Sequence, residues 1–127
     1  MSEFRTPIKD ARGLGSSHFG VGHWWAQRTT ALALIPLLLW FVIGIAVHGG
    51  ADYAAAREWV GSPVTAVLMV VTLGAVFYHG ALGVQVVIED YVDGEGLKLV
   101  LLLLVRAAAI LLALAGIFAV LSIAFGG

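Results

Sequence analysis

The chain has 127 residues, 61% hydrophobic and 12% charged, with a formal net charge of −1 and no cysteine, and its mean hydropathy is +0.99. This composition excludes a soluble domain, gives no case for nucleic-acid binding, and leaves no thiols for disulfides or for iron–sulfur clusters held within the chain. It describes lipid-embedded helix, and at about 20 residues per crossing the length accommodates about three spans with short connections.

Residues 1–23 form a polar N-terminal segment carrying Arg5, Lys9 and Arg12. It lacks the short apolar core and small-residue cleavage site of a secretory signal, and Glu3 and Asp10 argue against a mitochondrial transit peptide. The first span is expected at about 24–48, built on the uncharged run 29–50. The connection that follows carries Asp52, Arg57 and Glu58 around an alanine-rich stretch, a pattern that suits a short interfacial helix. Pro63 suits the first position of a second span over about 63–89. An acidic turn containing Asp93-Gly94-Glu95-Gly96 leads to a third span at about 97–125, interrupted by Lys98 and Arg106. The expected fold is therefore an all-α membrane protein, a single anchor domain over residues 1–127 with three transmembrane helices and no internal repeat.

Basic residues set the orientation. Arg5, Lys9, Arg12 and Arg28 precede the first span and Lys98 adjoins the second connection, whereas Arg57 alone lies in the first. The positive-inside bias puts the N-terminus in the cytoplasm, or the matrix of a mitochondrion, and the C-terminus on the opposite, periplasmic side. Trp24, Trp25 and Tyr91 then fall at the inner boundary, with Trp40 and Trp59 in the outer half.

His79 is the histidine within the otherwise uncharged run 63–88. An imidazole at that depth points to haem or proton chemistry, against the plainer alternative of a hydrogen bond to a neighbouring helix. Ala75 and Gly83 lie one turn to either side on the same face, leaving a recess that a planar macrocycle would fit; the competing reading is that they, with Gly74 and Gly80, simply let helices approach. His79 is about 18 Å along the helix from Tyr91, and His18, His23 and His48 are expected about 15–20 Å from it along the membrane normal, too far to share one iron. A second axial ligand would come from another chain, leaving His18 and His23 as interfacial residues and His48 as a solvated helix end. Glu89 and Asp90 are expected as turn carboxylates, Tyr91 as a belt aromatic able to reach a ligand oxygen, and Arg28 as a snorkelling anchor. For Arg106, snorkelling, pairing with Asp90 and contact with a haem propionate all stand open.

The segment from His79 through Gly83 and Gln85 to Glu89-Asp90-Tyr91 resembles the signature of the small hydrophobic membrane anchor of succinate dehydrogenase, in which a histidine precedes an Asp-Tyr pair at this spacing. The lead-in from Gly13-Leu14-Gly15-Ser16 to Arg28-Thr29-Thr30-Ala31 is similar too, so the likeness covers most of the chain. It implies that the three helices complete a larger haem-binding bundle with a second, larger anchor subunit, and hold an iron–sulfur subunit and a flavoprotein subunit on the inner face. By the same resemblance, His79 is an axial ligand of haem b, with iron as the bound metal, and Arg28 pairs with a haem propionate. Tyr91 donates a hydrogen bond to ubiquinone, and Asp90 helps arrange the quinone site. The implied role is passage of electrons from succinate to quinone in the respiratory chain and tricarboxylic acid cycle, with no catalytic residue in this chain and no activity of the chain alone; the N-terminal segment favours a bacterial plasma membrane over a mitochondrial one. Two other classes fit the residues: an anchor of another cytochrome b-type quinone oxidoreductase, including a homo-oligomer that binds iron by His79 from two copies, and a haem-free structural or transport subunit.

Overall fold

The computed structural model describes residues 16–126. Arg5, Lys9 and Arg12 of the orientation argument, the Gly13-Leu14-Gly15 lead-in and the side chain of His18 lie outside the described part. The elements are α1 (Ser16–His48), α2 (Tyr53–Gly61), α3 (Pro63–Tyr91) and α4 (Glu95–Phe125), with no strand among the described residues. Three of them contain stretches long and apolar enough to cross a membrane, Gly20–His48, Pro63–Tyr91 and Glu95–Phe125. The all-α, three-span expectation therefore holds.

Local chemistry explains the boundaries. Asp52 caps α2, its Oδ1 accepting a hydrogen bond from the Ala55 backbone N–H at 2.8 Å. Pro63 opens α3, where its missing N–H costs nothing. Gly94 turns the chain from α3 into α4 with φ of 90°, a region that side chains with a β-carbon avoid. Pro36 lies within α1 and cannot donate to the carbonyl one turn earlier, so α1 has a built-in site for bending. α1 starts well before the expected Trp24. α3 continues helical to Tyr91 and gives the extra turns of α1 a partner, and packing of this kind sustains helix where hydropathy alone gives no signal.

α3 is the central helix. It packs against α1 on one side and α4 on the other, while α1 and α4 do not pack directly on each other. The amphipathic connection α2 touches all three, closing one end of the layer. At that end Ala66, Met69 and Val120 are buried together, with Trp40, Phe41, Trp59 and Leu73 packed around them. Trp59 from α2 lies over Gly44 of α1, where a β-carbon would run into the indole. Gly44→Leu is accordingly expected to cost about 1–3 kcal/mol through overpacking, read as earlier thermal loss of the solubilised assembly; an unchanged transition would show that Trp59 is not fixed there. Large apolar side chains such as Leu39, Ile43, Leu111 and Phe118 stay exposed, as expected of a layer whose faces meet lipid or further helices.

Candidate functional site

His79 falls about 24 Å along α3 from Pro63 and about 18 Å from Tyr91, so it belongs to the middle of the helix. Its Nδ1 lies 2.9 Å from Oγ1 of Thr30 on α1. Thr30 is itself tied to its own helix, the hydroxyl donating to the Ala26 carbonyl at 2.6 Å with the Gln27 carbonyl at 3.1 Å. This contact sets the antiparallel register of α1 and α3. One turn further along α3, a β-carbon on Gly83 would meet the Gln27 amide at 3.8 Å, an ordinary contact.

Between these two helices opens a cavity of about 590 Å³, lined from α3 by His79, Gly83 and Val86 and from α1 by Gly20, His23, Trp24, Gln27, Arg28 and Ala31. The volume lies within the roughly 300–1,000 Å³ usual for small-molecule sites. Arg28 holds its guanidinium 5.5 Å from the centre of the Trp24 ring on the same wall. Two polar atoms of the lining, Nε2 of His23 and Oε1 of Gln27, are buried without a hydrogen-bond partner. The recess expected beside His79 is thus formed by Gly83, whereas Ala75 does not line it.

The expected separation of about 15–20 Å between His23 and His79 does not hold. The register places His79 level with Thr30 rather than with the centre of α1, so His23 stands about 10 Å away along the helix axis and shares the cavity. Thr30 and Gln27 join the site without having stood out in the sequence. A signal exists in their spacing: residues 23, 27, 30 and 31 repeat at helical period on α1, matching 79, 83 and 86 on α3.

At the end of α3, Tyr91 is 82% exposed, and Glu89 and Asp90 are exposed beside it. Arg106 donates from Nη2 to Oε1 of Gln85 at 3.3 Å, and Gln85 Nε2 donates to Oε1 of Glu89 at 2.8 Å. Of the three roles open for Arg106, the structure selects none: its partner is a neutral amide that relays to Glu89 rather than Asp90. His48 is half-buried and stacked on Trp59, ring centres 4.8 Å apart and planes 14° from parallel, a packed helix end rather than a solvated one. Among the described residues no group of three or more His, Cys, Asp or Glu side chains converges to hold a bare metal ion.

Comparison with known proteins decides the family. The model of the succinate dehydrogenase/fumarate reductase transmembrane subunit matches residues 2–124. The chain belongs to that family. Among its relatives, the succinate dehydrogenase hydrophobic membrane anchor subunit of Rickettsia bellii is 32% identical over 118 residues, covering 93% of this chain and 94% of that one. The corresponding anchor of Paracoccus denitrificans is 34% identical over 89 residues, covering 70% and 69% of the two chains. The succinate dehydrogenase membrane anchor subunit of Reclinomonas americana is 30% identical over 94 residues, covering 72% and 78%. This chain is thus a multi-pass membrane anchor subunit of the succinate dehydrogenase type, and the cavity between α1 and α3 lies within the matched part.

Proposed function

We propose that this anchor holds haem b jointly with a second anchor subunit, contributes Tyr91 and Asp90 to a ubiquinone site, and carries an iron–sulfur subunit and a flavoprotein on the N-terminal side of the membrane. The observation that carries the reading is the cavity itself: a mid-span imidazole, a neighbouring glycine, and an arginine toward one end of the opposite wall. The residues present fit the group. Gly20 and Gly83 keep the walls low, Arg28 supplies a planar guanidinium suited to a carboxylate, and His23 Nε2 and Gln27 Oε1 await polar partners. One mid-span histidine in this cavity would supply one ligand of the iron, the other coming from the partner anchor.

Bound there, haem b would supply a centre that holds one electron at a time. The chain's own residues do the rest. His79 would ligate the iron, Arg28, about 3 Å along the helix axis from Thr30, would pair with a propionate, and the apolar spans exclude water from the space between. Tyr91, its phenol exposed at the end of α3, donates a hydrogen bond to a carbonyl oxygen of ubiquinone, and Asp90 next to it arranges the site or its proton supply. Lys98 adjoins the same end, which the positive-inside bias assigns to the cytoplasm of a bacterium.

Affinity purification of the tagged chain tests the reading. A large flavin-bearing chain and a cysteine-rich chain are expected in equal amounts with it, together with one haem per pair of unlike anchors; an assembly without porphyrin contradicts it. Gly83→Leu should insert its side chain into the cavity and weaken haem retention by about tenfold, at the roughly 1–3 kcal/mol of an overpacked site. Spectral titration of haem against flavin checks this, and full retention would place the macrocycle elsewhere.

A further inference from the structure

We infer that Thr30 is the positioning residue that fixes the tautomer and ring orientation of His79, leaving Nε2 as the ligating nitrogen. The inference rests on the haem reading above and adds the part of α1 to it.

A threonine hydroxyl has one proton and two lone pairs. The Thr30 proton is committed along its own helix, to the Ala26 carbonyl at 2.6 Å, with the Gln27 carbonyl at 3.1 Å as the alternative acceptor. At 2.9 Å from His79 Nδ1, the same oxygen therefore has only a lone pair to offer, and the hydrogen bond requires His79 to donate from Nδ1–H. A neutral imidazole carries one N–H. With the proton at Nδ1, Nε2 keeps its lone pair, as an axial ligand to iron must.

The acceptor is held in place as well. Thr30 is β-branched and its back-bond to the helix restricts the hydroxyl to one direction, so the ring plane of His79 is set by a rigid element rather than by water. Ligating histidines depend on such an outer partner, whose removal typically lowers metal affinity or activity by about 10–100-fold. A backbone-anchored hydroxyl is a neutral acceptor, so it orients the ligand without adding charge in the span. Because Thr30 sits on α1 and His79 on α3, the ligand is competent only when the two helices are in register, which couples haem capture to assembly of this layer.

The experiment uses the intact membrane complex carrying Thr30→Val, Thr30→Ala or Thr30→Ser, with His79→Ala alongside. Haem retention is measured by transfer to apomyoglobin, and the haem midpoint potential and low-spin spectrum by redox titration. Thr30→Val and Thr30→Ala are expected to lose haem about 10–100-fold faster and to raise the midpoint potential, since an imidazole without its acceptor is a weaker donor to ferric iron. Thr30→Ser, which keeps the hydroxyl, is expected to restore both. Equal behaviour of Ala and Ser, or wild-type retention and potential in both Val and Ala variants, overturns the role of Thr30 while leaving haem ligation intact. Undiminished haem in His79→Ala overturns the haem reading itself. Should Thr30→Val not assemble, the Ala and Ser pair still decides, because the two differ by the hydroxyl.

Discussion

Replacing His79 with Ala is expected to abolish haem binding in the assembled complex, lowering retention by more than the about 10–100-fold attributed to an outer partner of a ligand. The side chain is the histidine that faces the α1–α3 cavity from mid-helix, while His23, the other histidine of the lining, stands about 10 Å further along and serves a different edge of whatever fills the space. Truncation also leaves Thr30 bonded to its own carbonyls, so α1 suffers no orphaned hydroxyl and the helix should still insert. The Soret band per flavin is the measurement. A haem-free complex that still contains its soluble subunits is the expected result, and an unchanged band would assign the iron to other side chains.

Tyr91→Phe should act on a different quantity. The ring at the end of α3 stays, and only the phenolic O–H is removed from an exposed position. Losing one hydrogen bond to a ligand oxygen costs about 1 kcal/mol, more when the abandoned acceptor gains charge as it is reduced, so quinone reduction is expected to fall by about tenfold. Haem content and electron transfer from succinate to an artificial dye should be retained, because neither involves the phenol. Loss of dye activity and haem together would make Tyr91 a structural belt residue and remove the chemical evidence for a quinone at this end.

The sequence displays the spans and the anomalous histidine because both are properties of single segments. A run of apolar residues declares a crossing whatever surrounds it, and His79 stands out within its own run. What stays hidden depends on how two helices are set against each other. Thr30 and Gln27 look like ordinary polar residues near the start of a span until the register brings Thr30 to His79 and Gln27 to Gly83. The same register moves His23 from a loop-side position into the cavity and turns Ala75 out of it. For Arg106 the sequence leaves snorkelling, Asp90 and a haem propionate open, and its contact is the neutral Gln85. The packing of α2 is another such case: its capping by Asp52 is local, whereas the seating of Trp59 on Gly44 is visible only in the fold.

An electron cryomicroscopy map of the intact membrane complex, purified with its bound haem, tests the central claim most directly. The account predicts a macrocycle occupying the α1–α3 cavity, with continuous density from its iron to Nε2 of His79, Nδ1 turned to Thr30, and a propionate beside Arg28. A cavity filled by lipid, with any macrocycle held by other side chains, would contradict it.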